Sequence, residues 1–140
     1  MSMVGKLSCF LGLQIKQKND GIFISQEKYA RNMVKKFGLE QARNKRTPTV
    51  THVKLTKNTE GVEVDHKLYR SKVANLLYLT ASRPDIAYAV GICACYQADP
   101  HITHLEAVKR ILKYVHGTSD FGMMYSYDTT PTLVGYCDAD

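Results

Sequence analysis

At 140 residues the chain has room for one ordinary domain with a real core, and 44% hydrophobic residues beside 23% charged exclude a wholly disordered chain. Apolar runs such as Leu76-Leu77-Tyr78-Leu79 are too short to span a bilayer, and four cysteines are too few for a disulfide scaffold, which leaves reduced thiols in an intracellular setting. The net charge of +6 is concentrated: residues 1–46 carry ten bases against three acids, whereas residues 47–140 carry nine against ten. A basic face of that kind is the electrostatic footprint for a polyanion, most simply nucleic acid.

The N-terminal Leu7–Ile15 stretch is interrupted by Ser8, Gly12 and Gln14 and makes a poor secretory signal. Leu11, Leu13 and Ile15 alternate with Gly12, Gln14 and Lys16, the period of a half-buried strand. Asn19-Asp20-Gly21 is a turn signal, and Ile22-Phe23-Ile24 returns as the partner strand of a hairpin.

Ser25 is placed as the N-cap of a helix over about 26–37, with Glu27 in its first turn. Ala30, Met33, Val34 and Phe37 share one helical face and should meet a core. Lys28, Arg31 and Lys35 fall on the other side, so the charge becomes a stripe. Gly38 is the expected C′ residue, with Leu39 closing the end by an apolar contact. Residues 43–66, opening on Arg43-Asn44-Lys45-Arg46-Thr47-Pro48, read as an extended, partly mobile loop.

Three further helices are expected. The first presents Tyr69, Val73, Leu76, Leu77 and Thr80 on one face. Pro84 suits the first position of the next, in which Ile86, Ala89, Val90 and Cys93 mark a central, buried helix. Thr103-His104-Leu105-Glu106 reads as a capping box for the third, with Leu105, Val108, Ile111, Leu112 and Val115 inward and Lys109, Arg110 and Lys113 as a smaller basic strip. Residues 122–127 and 132–138 are expected to pair as a second hairpin. The chain then stops at Asp140 without a terminating signal and looks cut.

Two sharper readings give way to blander ones. Cys93-x-Cys95 with His101-x-x-His104 suggests zinc, but helical residues two apart point about 200° apart and cannot share an ion. Tyr29, Tyr69, Tyr78 and Tyr88 lie on or beside apolar helix faces, which favours core or core-edge packing over base stacking.

Five segments stand in a recognisable order: Phe10–Ile15, Ser25–Tyr29, Tyr78–Ile86, Lys109–Thr118 and Gly135–Asp140. Together they resemble copia-type LTR retrotransposon Pol polyproteins over essentially the whole chain. The resemblance implies a stretch after the polymerase active site of a reverse transcriptase, an RNA-directed DNA polymerase, running into the start of RNase H. Residues 1–118 would form a primer-grip and thumb or connection region, and residues 119–140 the opening strands of an incomplete RNase H-like domain. The implied fold is α+β: an N-terminal hairpin, about four helices and a C-terminal hairpin.

By that resemblance Leu11, Gly12 and Leu13 are primer-grip-like, and Asp138 stands where the family has its first metal-binding, catalytic carboxylate. The Tyr-x-Asp-Asp-type motif is absent, and Asp65, Asp85 and Asp99 fall at helix boundaries where capping explains them. The fragment is therefore expected to bind template–primer duplex without a complete catalytic site. It would use Lys28, Arg31, Lys35, Lys36, Arg43, Lys45 and Arg46 for sequence-independent backbone contact. No cofactor is expected in it, with Mg2+ belonging to the intact parent enzyme. Its expected partners are nucleic acid and the rest of the polyprotein, with no membrane, in a cytoplasmic particle or the nucleus. The competing reading is an orphan transposon-derived reading frame, without function or reused as a small interaction protein.

Overall fold

The structure, a computed structural model, describes residues 7–10, 12–49 and 64–127. In chain order they form strands β1 (Leu7–Phe10), β2 (Leu13–Lys18) and β3 (Gly21–Ser25), helices α1 (Glu27–Lys36), α2 (His66–Leu79), α3 (Pro84–Ala94) and α4 (Ile102–Gly117), and strand β4 (Gly122–Ser126). The α+β class and the four helices agree with the sequence reading.

The expected hairpin is β2–β3, closed by Asn19-Asp20 with Lys18 opposite Gly21. A further strand, β1, pairs antiparallel with β2, and Gly12, just before β2, takes φ 80°. That left-handed value suits glycine. The first strand of the expected C-terminal hairpin is present as β4, and it pairs antiparallel with β3. The sheet order among the described residues is thus β1-β2-β3-β4. Residues 132–138, the expected partner strand, lie outside the described residues, as does Asp138.

Gly21 acts differently from the turn residue expected of it. A Cβ there would run into the Tyr125 carbonyl oxygen of β4, and one at Gly122 into the Ile24 carbonyl oxygen of β3. The two glycines therefore permit the close β3–β4 approach.

The core belongs to the helices. Ala30, Met33 and Val34 of α1 are buried with Tyr69, Val73, Leu76 and Leu79 of α2, Ile86, Val90 and Cys93 of α3, and Val108, Ile111, Leu112 and Val115 of α4. Helix α1 ends as predicted. Gly38 sits at φ 70°, its N–H donates to the Lys35 carbonyl at 3.0 Å, and the Leu39 N–H reaches the Val34 carbonyl at 3.0 Å. This is a Schellman ending with Leu39 packed on the core.

Four local expectations are corrected. Ser25 is the last residue of β3, and Gln26 occupies the N-cap of α1 without a side-chain cap bond. Gln14 of β2 supplies the cap instead, its Oε1 accepting from the Lys28 N–H at 2.7 Å. In α2 the buried face runs through Tyr69, Val73, Leu76 and Leu79, at i, i+4, i+7 and i+10, which leaves Leu77 exposed about 100° away. Helix α3 is buried on one face only, and Tyr88 on its other face is 76% exposed rather than packed at the core edge.

The fourth correction concerns α4. His101 is its N-cap and exchanges bonds with His104: the His101 N–H donates to His104 Nδ1 at 2.9 Å, and the His101 ring accepts from the His104 N–H. A reciprocal imidazole pair thus does what Thr103 and Glu106 were expected to do. Asp65 does cap α2, accepting from the Lys67 and Leu68 N–H groups.

Candidate nucleic-acid interface

Helix α1 is the best-defined cationic element. Its inward face is fixed by Ala30, Met33 and Val34, so the 3.6-residue period turns Lys28, Arg31, Lys35 and Lys36 to solvent. Lys35 and Lys36 lie in its last turn, where the helix dipole favours positive charge. The stripe is not uniform. Arg31 pairs with Glu27 one turn earlier, whereas the Lys36 ammonium lies 5.3 Å from the Phe37 ring.

The three basic residues after α1 separate. Arg43 and Arg46 are exposed, but Lys45 joins Lys109, Arg110 and Lys113 of α4 around a cleft of about 590 Å³ beside α3. Arg110 Nη2 donates to Thr47 Oγ1 at 2.8 Å, which ties residues 45–49 across α4. The smaller basic strip therefore faces a cleft rather than an open helix surface. Of the primer-grip-like residues, Gly12 lies at the β1–β2 turn under the Tyr78 hydroxyl, Leu13 opens β2 half-buried, and Leu11 lies outside the described residues.

The recognisable segments meet in a polar network centred on the buried Arg83 and Ser82, with Asp85 at its solvent edge. Ser82 Oγ donates to Gln26 Oε1 at 2.7 Å, and Gln26 Nε2 donates to the Tyr78 carbonyl at 3.3 Å. Arg83 is 1% exposed. Its Nε and Nη2 bind Asp85 at 3.0 and 2.8 Å, while Nη1 and Nη2 bind the Thr118 carbonyl and Oγ1 at 3.0 and 2.7 Å. The Tyr114 hydroxyl adds a 2.7 Å bond to Asp85 Oδ2. Burial pushes the Asp85 carboxyl up, but the bonds from Arg83 and Tyr114 outweigh it and hold the group below its ordinary range.

Asp85 is thus more than a capping residue, since it secures the start of α3 to the end of α4. Spacing could not reveal this, because Arg83 and Thr118 are 35 residues apart.

Cys93 is buried and Cys95 exposed, as opposite helix sides require. Burial pushes the Cys93 thiol up to about 11. Among the described residues no group of three His, Cys, Asp or Glu could hold a metal ion, and no helix is long and apolar enough to cross a membrane.

Over its length the chain is similar to retrovirus-related Pol polyproteins of plant transposons. It is 35% identical over 134 residues to that of transposon RE2 from Arabidopsis thaliana, a match covering 96% of this chain and 9% of the polyprotein. It is 34% identical over 149 residues to that of transposon TNT 1-94 from Nicotiana tabacum, covering 100% of this chain and 11% of the polyprotein. An uncharacterized mitochondrial protein of A. thaliana is 34% identical over 140 residues, covering 100% of this chain and 58% of that protein. The chain therefore spans about a tenth of the Pol polyproteins it matches. No family profile and no solved structure matches it.

Proposed function

We propose that this chain, which belongs to the Pol polyproteins of copia-type retrotransposons, supplies a duplex-holding surface of a reverse transcriptase and leaves the chemistry to other parts of the polyprotein. One observation carries the reading: α1 buries one face in the core and turns Lys28, Arg31, Lys35 and Lys36 outward. A rigid helix bearing cations at i, i+3 and i+7 can follow a phosphate backbone without reading bases.

Arg43 and Arg46, both exposed, would add further backbone contacts, and Lys45 lines the cleft beside α4. On this reading the β1–β2 turn, held by Gly12 beneath Tyr78, is the primer-grip-like element, since backbone contact needs a fixed turn more than a particular side chain. The duplex is an RNA–DNA hybrid or DNA. Any Mg2+ chemistry is assigned to the larger polyprotein, and no step is assigned to Asp138.

Fluorescence anisotropy with a labelled RNA–DNA hybrid tests this. Binding at low salt that weakens by about tenfold or more in the Lys28→Ala/Arg31→Ala/Lys35→Ala variant supports the reading. Absence of binding by the unaltered chain at low salt overturns it and favours an orphan transposon-derived piece.

A further inference from the structure

The cleft between residues 45–49, α3 and α4 is separate from the α1 stripe and plays no part in the duplex reading. Its volume of about 590 Å³ lies within the range of small-molecule sites. Two kinds of wall meet there. The floor is apolar, with Ala89, Ile92 and Cys93 of α3 opposite Ala107 and Ile111 of α4. The rim carries Lys45, Lys109, Arg110 and Lys113 against one carboxylate, Glu106.

The rim cations are not neutralised among themselves. None of these four side chains has an ion-pair partner among the described residues. Arg110 spends Nη2 on Thr47, yet its Nε is buried without a hydrogen-bond partner, and so is Thr103 Oγ1 in the same lining. Leaving buried donors unpartnered is costly, but these two are covered by protein, so a ligand in the cleft would meet the accessible ends of Lys45, Lys109, Arg110 and Lys113 instead. A depression that is positive at its edge and apolar at its base fits a molecule with a flat ring at one end and a dianion at the other.

We propose that this cleft is a mononucleotide site, taking a nucleoside monophosphate or the phosphorylated end of a single strand. The base lies on the Ala89, Ile92 and Ala107 floor, and the phosphate meets Lys109, Arg110 and Lys113. A phosphate suits this rim better than a carboxylate side chain, because it offers more acceptor oxygens to several converging donors. The arrangement binds and releases a ligand and makes no bond.

Calorimetric titration of the full chain with AMP, adenosine and inorganic phosphate tests both halves of the site. AMP binds saturably, and adenosine and phosphate each bind at least about tenfold more weakly. Lys109→Gln/Lys113→Gln weakens AMP by about tenfold or more, and Glu106→Gln tightens it by about two- to fivefold. The Lys28→Ala/Arg31→Ala/Lys35→Ala variant keeps full AMP affinity, so failure at either surface is distinguishable from failure at the other. Equal affinity for AMP and phosphate, AMP binding unchanged in both rim variants, or displacement by an acidic peptide at the same concentration overturns the proposal.

Discussion

Arg83 and Asp85, two residues apart across the start of α3, face each other in a forked pair, with Nε–Oδ1 at 3.0 Å and Nη2–Oδ2 at 2.8 Å. The guanidinium is 1% exposed and also carries the Thr118 end of α4, so one side chain joins two helix termini. The Tyr114 and Phe121 rings lie 5.7 and 5.3 Å from it and complete its enclosure. Replacing Arg83 by Met removes the guanidinium from both Thr118 acceptors and from the Asp85 carboxylate, which keeps the bond from Tyr114 and its contact with solvent. Chemical denaturation should then show a loss of about 3 kcal/mol or more, whereas Tyr114→Phe costs about 1 kcal/mol.

The same pair sets an acid limit. The native state holds Asp85 below its ordinary carboxylate range, so the unfolded chain takes up the proton first as pH falls. The stabilisation is fully present above the unfolded value of about 3.9 and is lost as pH drops through the native one. Denaturation midpoints measured from neutral pH into acid should fall more steeply in the unaltered chain than in Asp85→Asn, which starts less stable.

Two glycines should respond in opposite directions to alanine. Nothing lies within 4 Å of a Cβ at Gly91 in α3, so Gly91→Ala should stabilise by about 0.5–1 kcal/mol through the helix backbone. A Cβ at Gly122 meets the Ile24 carbonyl oxygen, and Gly122→Ala should destabilise by more than about 1 kcal/mol. Hydrogen exchange should show the latter loss concentrated in β4.

On the proposed duplex-holding reading, Glu27 would compete with the phosphate backbone for Arg31. The pair spans one turn of α1, with about two thirds of the Arg31 side chain exposed. Exposed pairs of this kind contribute at most about 1 kcal/mol, so Glu27→Gln should leave stability nearly unchanged. Hybrid affinity at low salt should rise by about two- to fivefold, as an arginine is freed and a repelling charge removed.

Local patterns told much of the helical story. The period of Ala30, Met33 and Val34, the Gly38 ending, Pro84 at the head of α3 and the inward face of α4 were all legible, because each depends on residues within a turn or two. What escaped depends on partners far away in the chain. Gln14 caps α1 from a neighbouring strand, the His101–His104 exchange replaces the expected Thr–Glu box, and β4 reaches back to β3. Asp85 read as a boundary residue explained by capping, because nothing local shows that Arg83 and Tyr114 would bind it or that Thr118 would come to meet Arg83. The α1 stripe was legible from spacing, but the departure of Lys45 to the α4 cleft was not, since a loop residue has no period to reveal its direction.

The slope of affinity against salt tests the central claim, that α1 holds a duplex by its phosphates. Each phosphate contact contributes about 0.9 to the fall of log K with log salt on B-form DNA, so deleting three cations should flatten the slope by about 2–3. Titrating the unaltered chain and the Lys28→Ala/Arg31→Ala/Lys35→Ala variant on the same duplex should show that difference, with thermal stability unchanged. Equal slopes and equal affinities would contradict the account.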